Sequence, residues 1–263
     1  MLNKIKNQKP LIHCITNPLS INQCANAVLA LGARPIMAEH PNEVSEITET
    51  ADALLLNIGN ITDVRMKSIQ LSAETAYKYN IPFVLDAVGV ACSGFRRKFT
   101  LGFLSKYSLA ILKGNYSEIN ALFNCDYKSK GVDSDVELTV EEVSRIAVAL
   151  AKRYGTTVLA SGKTDIITDG TKLFHVKNGT SQLSHITGTG CMLGAICAVF
   201  LSFNDAVSSA IKACVTLGIC GELSETEKGN GTFLINLIDN LSTVTDEVIN
   251  KMIKSEEISI EKS

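Results

Sequence analysis

None of the eight cysteines stands in a Cys-x-x-Cys pair. That absence removes the paired ligand spacing of a structural zinc site and argues against a disulfide-stapled domain. With no secretory leader pattern at the start, a reducing, cytoplasmic setting is expected. Lysine and arginine gather no further than Arg96-Arg97-Lys98, and the formal net charge is −2. Neither feature suits nucleic acid or an anionic membrane. The longest apolar run, Cys191 to Phe203, is too short to span a bilayer and contains a glycine and a serine. There is no linker, low-complexity tract or repeat, so residues 1–263 read as one domain. The histidines His13, His40, His175 and His185 are scattered without sequence partners, which favours structural over catalytic roles.

Two familiar nucleotide fingerprints are missing as well. Gly-x-Gly-x-x-Gly would require glycine where Leu193 stands. Gly162-Lys163-Thr164 ends like a Walker A loop, but its first glycine would fall at Thr157. Neither a Rossmann dinucleotide site nor a P-loop is present.

What is present begins at His185-Ile186-Thr187-Gly188-Thr189-Gly190-Cys191-Met192-Leu193-Gly194, which runs into an apolar stretch with the character of a buried helix. Glycines at 188 and 190 allow a tight turn, and the first amides of a helix lack intrahelical partners while its dipole favours negative charge. Such a start is a ready anion hole. Cys191 sits at its mouth, where the same field is expected to lower the thiol pKa. The combination points to phosphoryl or acyl transfer on a small molecule.

Apolar content of 46% with 20% charge is that of a globular enzyme. Continuous apolar runs at Arg34–Ala38, Ala53–Ile58, Pro82–Asp86, Leu109–Leu112 and Thr156–Ala160 predict strands covered on both faces. Helical patterns separate them, including Asp63–Tyr79 and a helix opened by the capping box Thr139-Val140-Glu141-Glu142. Asp165–Val176 predicts a hairpin turning at Asp169-Gly170. Helices are then expected at Cys191–Ser202, Asp205–Ser224, Thr232–Asn240 and Asp246–Ile253. The fold class is α/β, a mostly parallel central sheet with helices on both faces. Strand ends lead into Glu39-His40, Asn57-Ile58-Gly59-Asn60, Asp86-Ala87-Val88-Gly89, Lys113-Gly114-Asn115 and Ser161-Gly162. Open α/β sheets bind ligands at this edge.

At these residues the chain resembles the hydroxyethylthiazole kinase family. The resemblance is carried in order by Ile12-His13-Cys14-Ile15-Thr16-Asn17, Asn26 to Ala38, Leu56 to Gly59, Leu85 to Gly89, Lys113 to Ile119, Thr187 to Cys191 and Lys228 to Phe233. It implies a three-layer, ribokinase-like fold and ATP-dependent phosphorylation of 4-methyl-5-(2-hydroxyethyl)thiazole in thiamine salvage. It also implies a homotrimer with active sites at subunit boundaries. By the same resemblance, Met37 and Gly188 contact the thiazole, and Lys113 and Ser161 contact ATP. Arginine and threonine are more usual at those last two positions; lysine still supplies a cation, though without a bidentate fork. Asp86 and Glu118 correspond to the acidic pair around Mg²⁺, directly or through water, although either could instead cap the following helix. Gly188, Gly190 and Cys191 form the catalytic anion hole. Related sugar kinases carry aspartate where Cys191 stands, so the thiol either accepts the hydroxyl proton or only shapes the hole.

The nearest rival is a kinase for another heterocyclic alcohol, such as hydroxymethylpyrimidine or pyridoxal. An ATP-dependent dehydratase on the same fold would share the glycine-rich hole but not the Met37 segment or Cys191. A non-catalytic sensor would have no need of Asp86, Glu118 and the Gly188–Cys191 loop together.

Overall fold

The computed structural model describes residues 1–124 and 138–260. Cys125 lies outside them. From the N-terminus, helix α1 (Leu2–Gln8) and strand β1 (Leu11–Ile15) are followed by α2 (Ile21–Ala30), β2 (Arg34–Ile36), α3 (Val44–Glu49) and β3 (Ala53–Asn57). Next come α4 (Asp63–Tyr79), β4 (Phe83–Asp86), α5 (Gly94–Lys106), β5 (Ile111–Asn115), α6 (Tyr116–Phe123) and α7 (Val140–Tyr154). Strand β6 (Thr157–Ser161) leads into the hairpin β7 (Asp165–Thr168) and β8 (Leu173–Val176). After a 3₁₀ turn at Ser181–His185 come α8 (Thr189–Leu201), α9 (Ala206–Leu223), α10 (Asn230–Thr243), α11 (Asp246–Met252) and β9 (Ser255–Ile258).

The strands form one nine-stranded sheet in the order β2-β1-β3-β4-β5-β6-β7-β8-β9. Pairing is parallel from β2 to β6 and antiparallel from β6 to β9. One face packs under α2 and α8–α10 through Val28, Ile196, Val199, Ile219 and Leu237. The other packs under α3–α7 through Val44, Ile69, Phe103, Ile119 and Val143. Burial on both faces is why β3 and β4 read as unbroken apolar runs. Among the described residues α9 is the one helix long and apolar enough to cross a membrane, and 61% of it is buried inside the protein.

Several expected boundaries move. The strand expected at Leu109–Leu112 is β5, Ile111–Asn115, because β4 and β6 pair with it on both sides as far as Lys113 and Asn115. Lys113 therefore lies within the sheet. Strand β2 stops at Ile36, leaving Met37 and Ala38 in a loop. The helix expected from Cys191 opens at Thr189, and α10 opens at Asn230. The hairpin and the Thr139–Glu142 capping box stand as expected. Strand β1 was not foreseen, since its centre carries His13 and Cys14, and β9 is a sparsely apolar edge strand.

Candidate active site

Strand β1 pairs with β2 on one side and β3 on the other, and the chain leaves those neighbours in opposite directions across the sheet. Such a switch point opens a crevice at the carboxyl ends of the strands. Asn17 follows β1 there and Asn57 ends β3. In register, Asn57 lies beside Asp86, and Asp86 beside Lys113. One row of the sheet thus carries an amide, a carboxylate and an ammonium, all buried.

Their contacts are direct. Lys113 Nζ donates to Asp86 Oδ1 at 3.0 Å, and Asn57 Nδ2 donates to Asp86 Oδ2 at 2.9 Å. Burial raises the Asp86 carboxyl above its ordinary value against the pull of Lys113 and Asn57. Burial works against the Lys113 charge too, but Asp86, Cys191 and Glu118 outweigh it and raise the lysine above its ordinary value. The ammonium stays charged at neutral pH.

Helix α8 lies across this row. A β-carbon at Gly194 would meet Leu55 Cδ1 at 3.0 Å and approach Asp86 Oδ2 to 3.5 Å, so glycine allows the helix to sit this close. Gly188 caps the helix with φ of 94°, a left-handed conformation that favours glycine. The first intrahelical bond runs from Met192 N to Gly188 O at 2.8 Å, so the amides of Thr189, Gly190 and Cys191 precede it. A β-carbon at Gly190 would lie 3.7 Å from Lys113 Nζ. The free amides and the ammonium therefore converge on one place, a preorganised anion site.

Glu118 belongs to the same cluster, and its carboxyl is raised first by burial and then by Asp86. Its Oε1 accepts from Gly89 N at 2.8 Å and its Oε2 from Asn115 N at 2.7 Å. The capping role open to it from the sequence is thus realised, in a reciprocal box with Asn115. Each carboxylate oxygen retains a further lone pair.

Cys191 corrects one expectation. Its thiol is raised above the ordinary value, first by burial and next by Asp86. The field at the helix start does not compensate, so Cys191 rests as a thiol. Its sulfur accepts from Asn57 Nδ2 at 3.3 Å and Asn17 Nδ2 at 3.4 Å.

Beyond α8 a cleft of about 660 Å³ opens between Ser161, Gly162, Thr180, Thr189, Gly190 and Leu217. Ser161 lies at its wall, with its hydroxyl donating to Gly114 O at 3.4 Å. Met37 stands apart from the charged row, half-buried after edge strand β2 and packed against the core cluster that includes α8. Among the histidines, His13 bonds to Thr48 and His175 to Ser144. Asn17 and Gly194 were not singled out as site residues, and Asn57 only as a strand end; what marks them is register and helix approach.

Residues 2–247 match the Hydroxyethylthiazole kinase family. Hydroxyethylthiazole kinase 2 of Clostridium botulinum (strain Langeland) is 47% identical over 255 residues, covering 95% of this chain and 96% of the relative. A solved hydroxyethylthiazole kinase protein from Pyrococcus horikoshii OT3 superposes with a TM-score of 0.90 at 35% identity, over 98% of this chain and 97% of that one. The pyridoxal kinase of Staphylococcus aureus, solved with AMP-PCP and pyridoxal, gives a TM-score of 0.66 over 96% of this chain and 99% of that one. At 14% identity this last likeness concerns the fold alone.

Proposed function

This chain belongs to the hydroxyethylthiazole kinase family, and on that premise we propose that it phosphorylates the hydroxyl of 4-methyl-5-(2-hydroxyethyl)thiazole with ATP, in thiamine salvage. The observation that carries the reading is the buried Asn57–Asp86–Lys113 row beneath the free amides of α8.

The alcohol oxygen bonds to the γ-phosphorus as the bond to the β–γ bridging oxygen breaks, releasing ADP. Charge spreads over the transferring phosphoryl oxygens, so catalysis is chiefly positioning and neutralisation. The amides of Thr189, Gly190 and Cys191 cradle that group, and Lys113 adds a point charge beside it. Ser161 offers a hydroxyl to the nucleotide from the cleft wall, while Met37 and Gly188 bound the thiazole. A loose transition state retains the hydroxyl proton until late, and it then passes to an oxygen of the transferred phosphoryl group or to water. Cys191, protonated at rest, therefore serves first to shape the hole and orient the attacking oxygen.

Asp86 and Glu118 suit Mg²⁺, which takes one or two carboxylates, substrate phosphates and retained waters rather than an all-protein cage. Bound there, Mg²⁺ would neutralise phosphate charge. The assembly we assign is a homotrimer with interfacial sites, supported by the family resemblance and by Leu19, 66% exposed two residues past Asn17. The compartment we assign is the cytoplasm, since the cysteines among the described residues are unpaired and a reducing milieu keeps them so.

The test is ATP-dependent phosphorylation of hydroxyethylthiazole, hydroxymethylpyrimidine and pyridoxal by the purified protein, with and without Mg²⁺. Mg²⁺-dependent turnover of the thiazole above the others is expected. Preference for another alcohol would move the substrate assignment, and no turnover would remove the kinase reading. In the same assay Cys191→Ala should lower turnover while leaving it measurable. Gly190→Val should abolish it, because the added side chain projects toward Lys113 Nζ and fills the phosphoryl position.

A further inference from the structure

Asn17 and Asn57 have an unusually complete set of partners around one sulfur. Gly59 N donates to Asn57 Oδ1 at 2.9 Å, and Leu19 N donates to Asn17 Oδ1 at 3.1 Å. A backbone amide can only donate, so each contact fixes which end of the asparagine side chain is oxygen. The NH₂ groups are then fixed as well. Asn57 Nδ2 divides its two hydrogens between Asp86 Oδ2 and Cys191 Sγ, at 2.9 Å and 3.3 Å. Asn17 Nδ2 divides its own between Asn57 Oδ1 and Cys191 Sγ, at 3.2 Å and 3.4 Å. Asn57 is left with no spare hydrogen or oxygen acceptor, and it is fully buried.

The sulfur of Cys191 thus accepts from two amides, and the Ser20 hydroxyl is a third hydrogen-bonding neighbour. Its own proton cannot be directed at either amide.

We infer that Asn17 and Asn57 are positioning residues for phosphoryl transfer. They hold the Cys191 sulfur by two donated hydrogen bonds at the start of α8 and tie it, through Asn57, to Asp86. Neither amide need touch the substrate. The inference rests on the kinase reading of this cleft, and it differs from it in what it predicts for the thiol itself.

Asn17 is the residue to change, since Asn57 is walled in by the sheet. In the wild-type background Asn17→Ala should lower kcat about tenfold with KM for both substrates changed less than about twofold. In a Cys191→Ala background the same substitution should change kcat less than about twofold, because the group it acts through is gone. Equal losses in both backgrounds, or a loss confined to KM, would overturn the inference. A second readout needs no substrate. Iodoacetamide labelling of Cys191, followed peptide by peptide at one fixed pH, should slow about tenfold or more in Asn17→Asp, which keeps the size but replaces the donor with an acceptor. Unchanged or faster labelling in that folded variant would overturn the inference even if the wild type is a good kinase. Slowed labelling in a protein that phosphorylates none of the three alcohols would uphold the thiol's positioning and remove only the kinase reading.

Discussion

His13 occupies the centre of β1, fully buried, with Nε2 2.9 Å from Ala38 O and Nδ1 2.9 Å from Thr48 Oγ1. A carbonyl accepts only, so Nε2 carries the hydrogen and Nδ1 is free to accept from the threonine. The ring thereby ties the loop holding Met37 and Ala38 to α3. Burial lowers its pKa below the usual 6.5, against the pull of the Ala38 carbonyl and Glu43. Between that lowered value and 6.5 the unfolded chain binds the extra proton, so stability rises with pH across the window and is lost as pH falls through it. Chemical denaturation between about pH 5 and pH 7 should show this slope in the wild type. His13→Gln, which can both donate to Ala38 O and accept from Thr48, should flatten it; an identical slope in the variant would clear His13 of the effect. The sequence offered His13 only as a structural histidine, which is what it is. It gave no comparable sign for Asn17, because asparagine after a strand is ordinary turn chemistry. Cys191 was misjudged in charge because a helix-start argument sees the dipole but not the burial or the neighbouring Asp86.

At the scale of elements, two helices open with the same device and differ in what else it does. Thr139 and Glu142 cap α7 in a reciprocal box on the surface. Asn115 and Glu118 cap α6 the same way, at 2.8 Å and 2.7 Å, but Glu118 also belongs to the buried charge cluster. Asn115→Ala and Thr139→Ala should each destabilise by about 1 kcal/mol in chemical denaturation. Only Asn115→Ala should raise the Mg²⁺ concentration needed for half-maximal turnover, since only there does the box hold a proposed metal carboxylate. Equal Mg²⁺ requirements in the two variants would assign Glu118 to capping alone. Both boxes lie in short sequence windows, but the sequence alone leaves Glu118 open between capping α6 and holding a metal, whereas Thr139–Glu142 has no such rival role. Strands β3, β4 and β6 were legible as apolar runs; β2 and β5 were misplaced by two or three residues because pairing with neighbours, not composition, sets where they end.

At the scale of the molecule, alternation of strand and helix disclosed a parallel sheet with two covered faces but not its strand order. That order puts β2 at the edge and β4, with Asp86, three strands inward. The Asp86–Lys113 pair, to which we assign the phosphoryl transfer, is consequently deep in one chain, between sheet and α8. The proposed thiazole contact is not: Met37 is half-buried beyond an edge strand of three residues, and Leu19 stands 66% exposed near Asn17. Exposed Leu29 and Ile235 lie on α2 and α10, which pack together on the same face of the sheet. On the proposed assignments a single chain would enclose the phosphate better than the acceptor, and the homotrimer we propose would supply the missing wall from a neighbour. Sedimentation equilibrium should then give about 85 kDa, three copies of the 28.3 kDa chain. Leu19→Asp should shift the protein toward smaller species and raise KM for the thiazole more than KM for ATP, since the cleft we assign to the nucleotide, between Ser161 and Gly190, is lined by residues of one chain. A wild-type protein that sediments at 28.3 kDa and turns over the thiazole fully would show that one chain closes the site unaided.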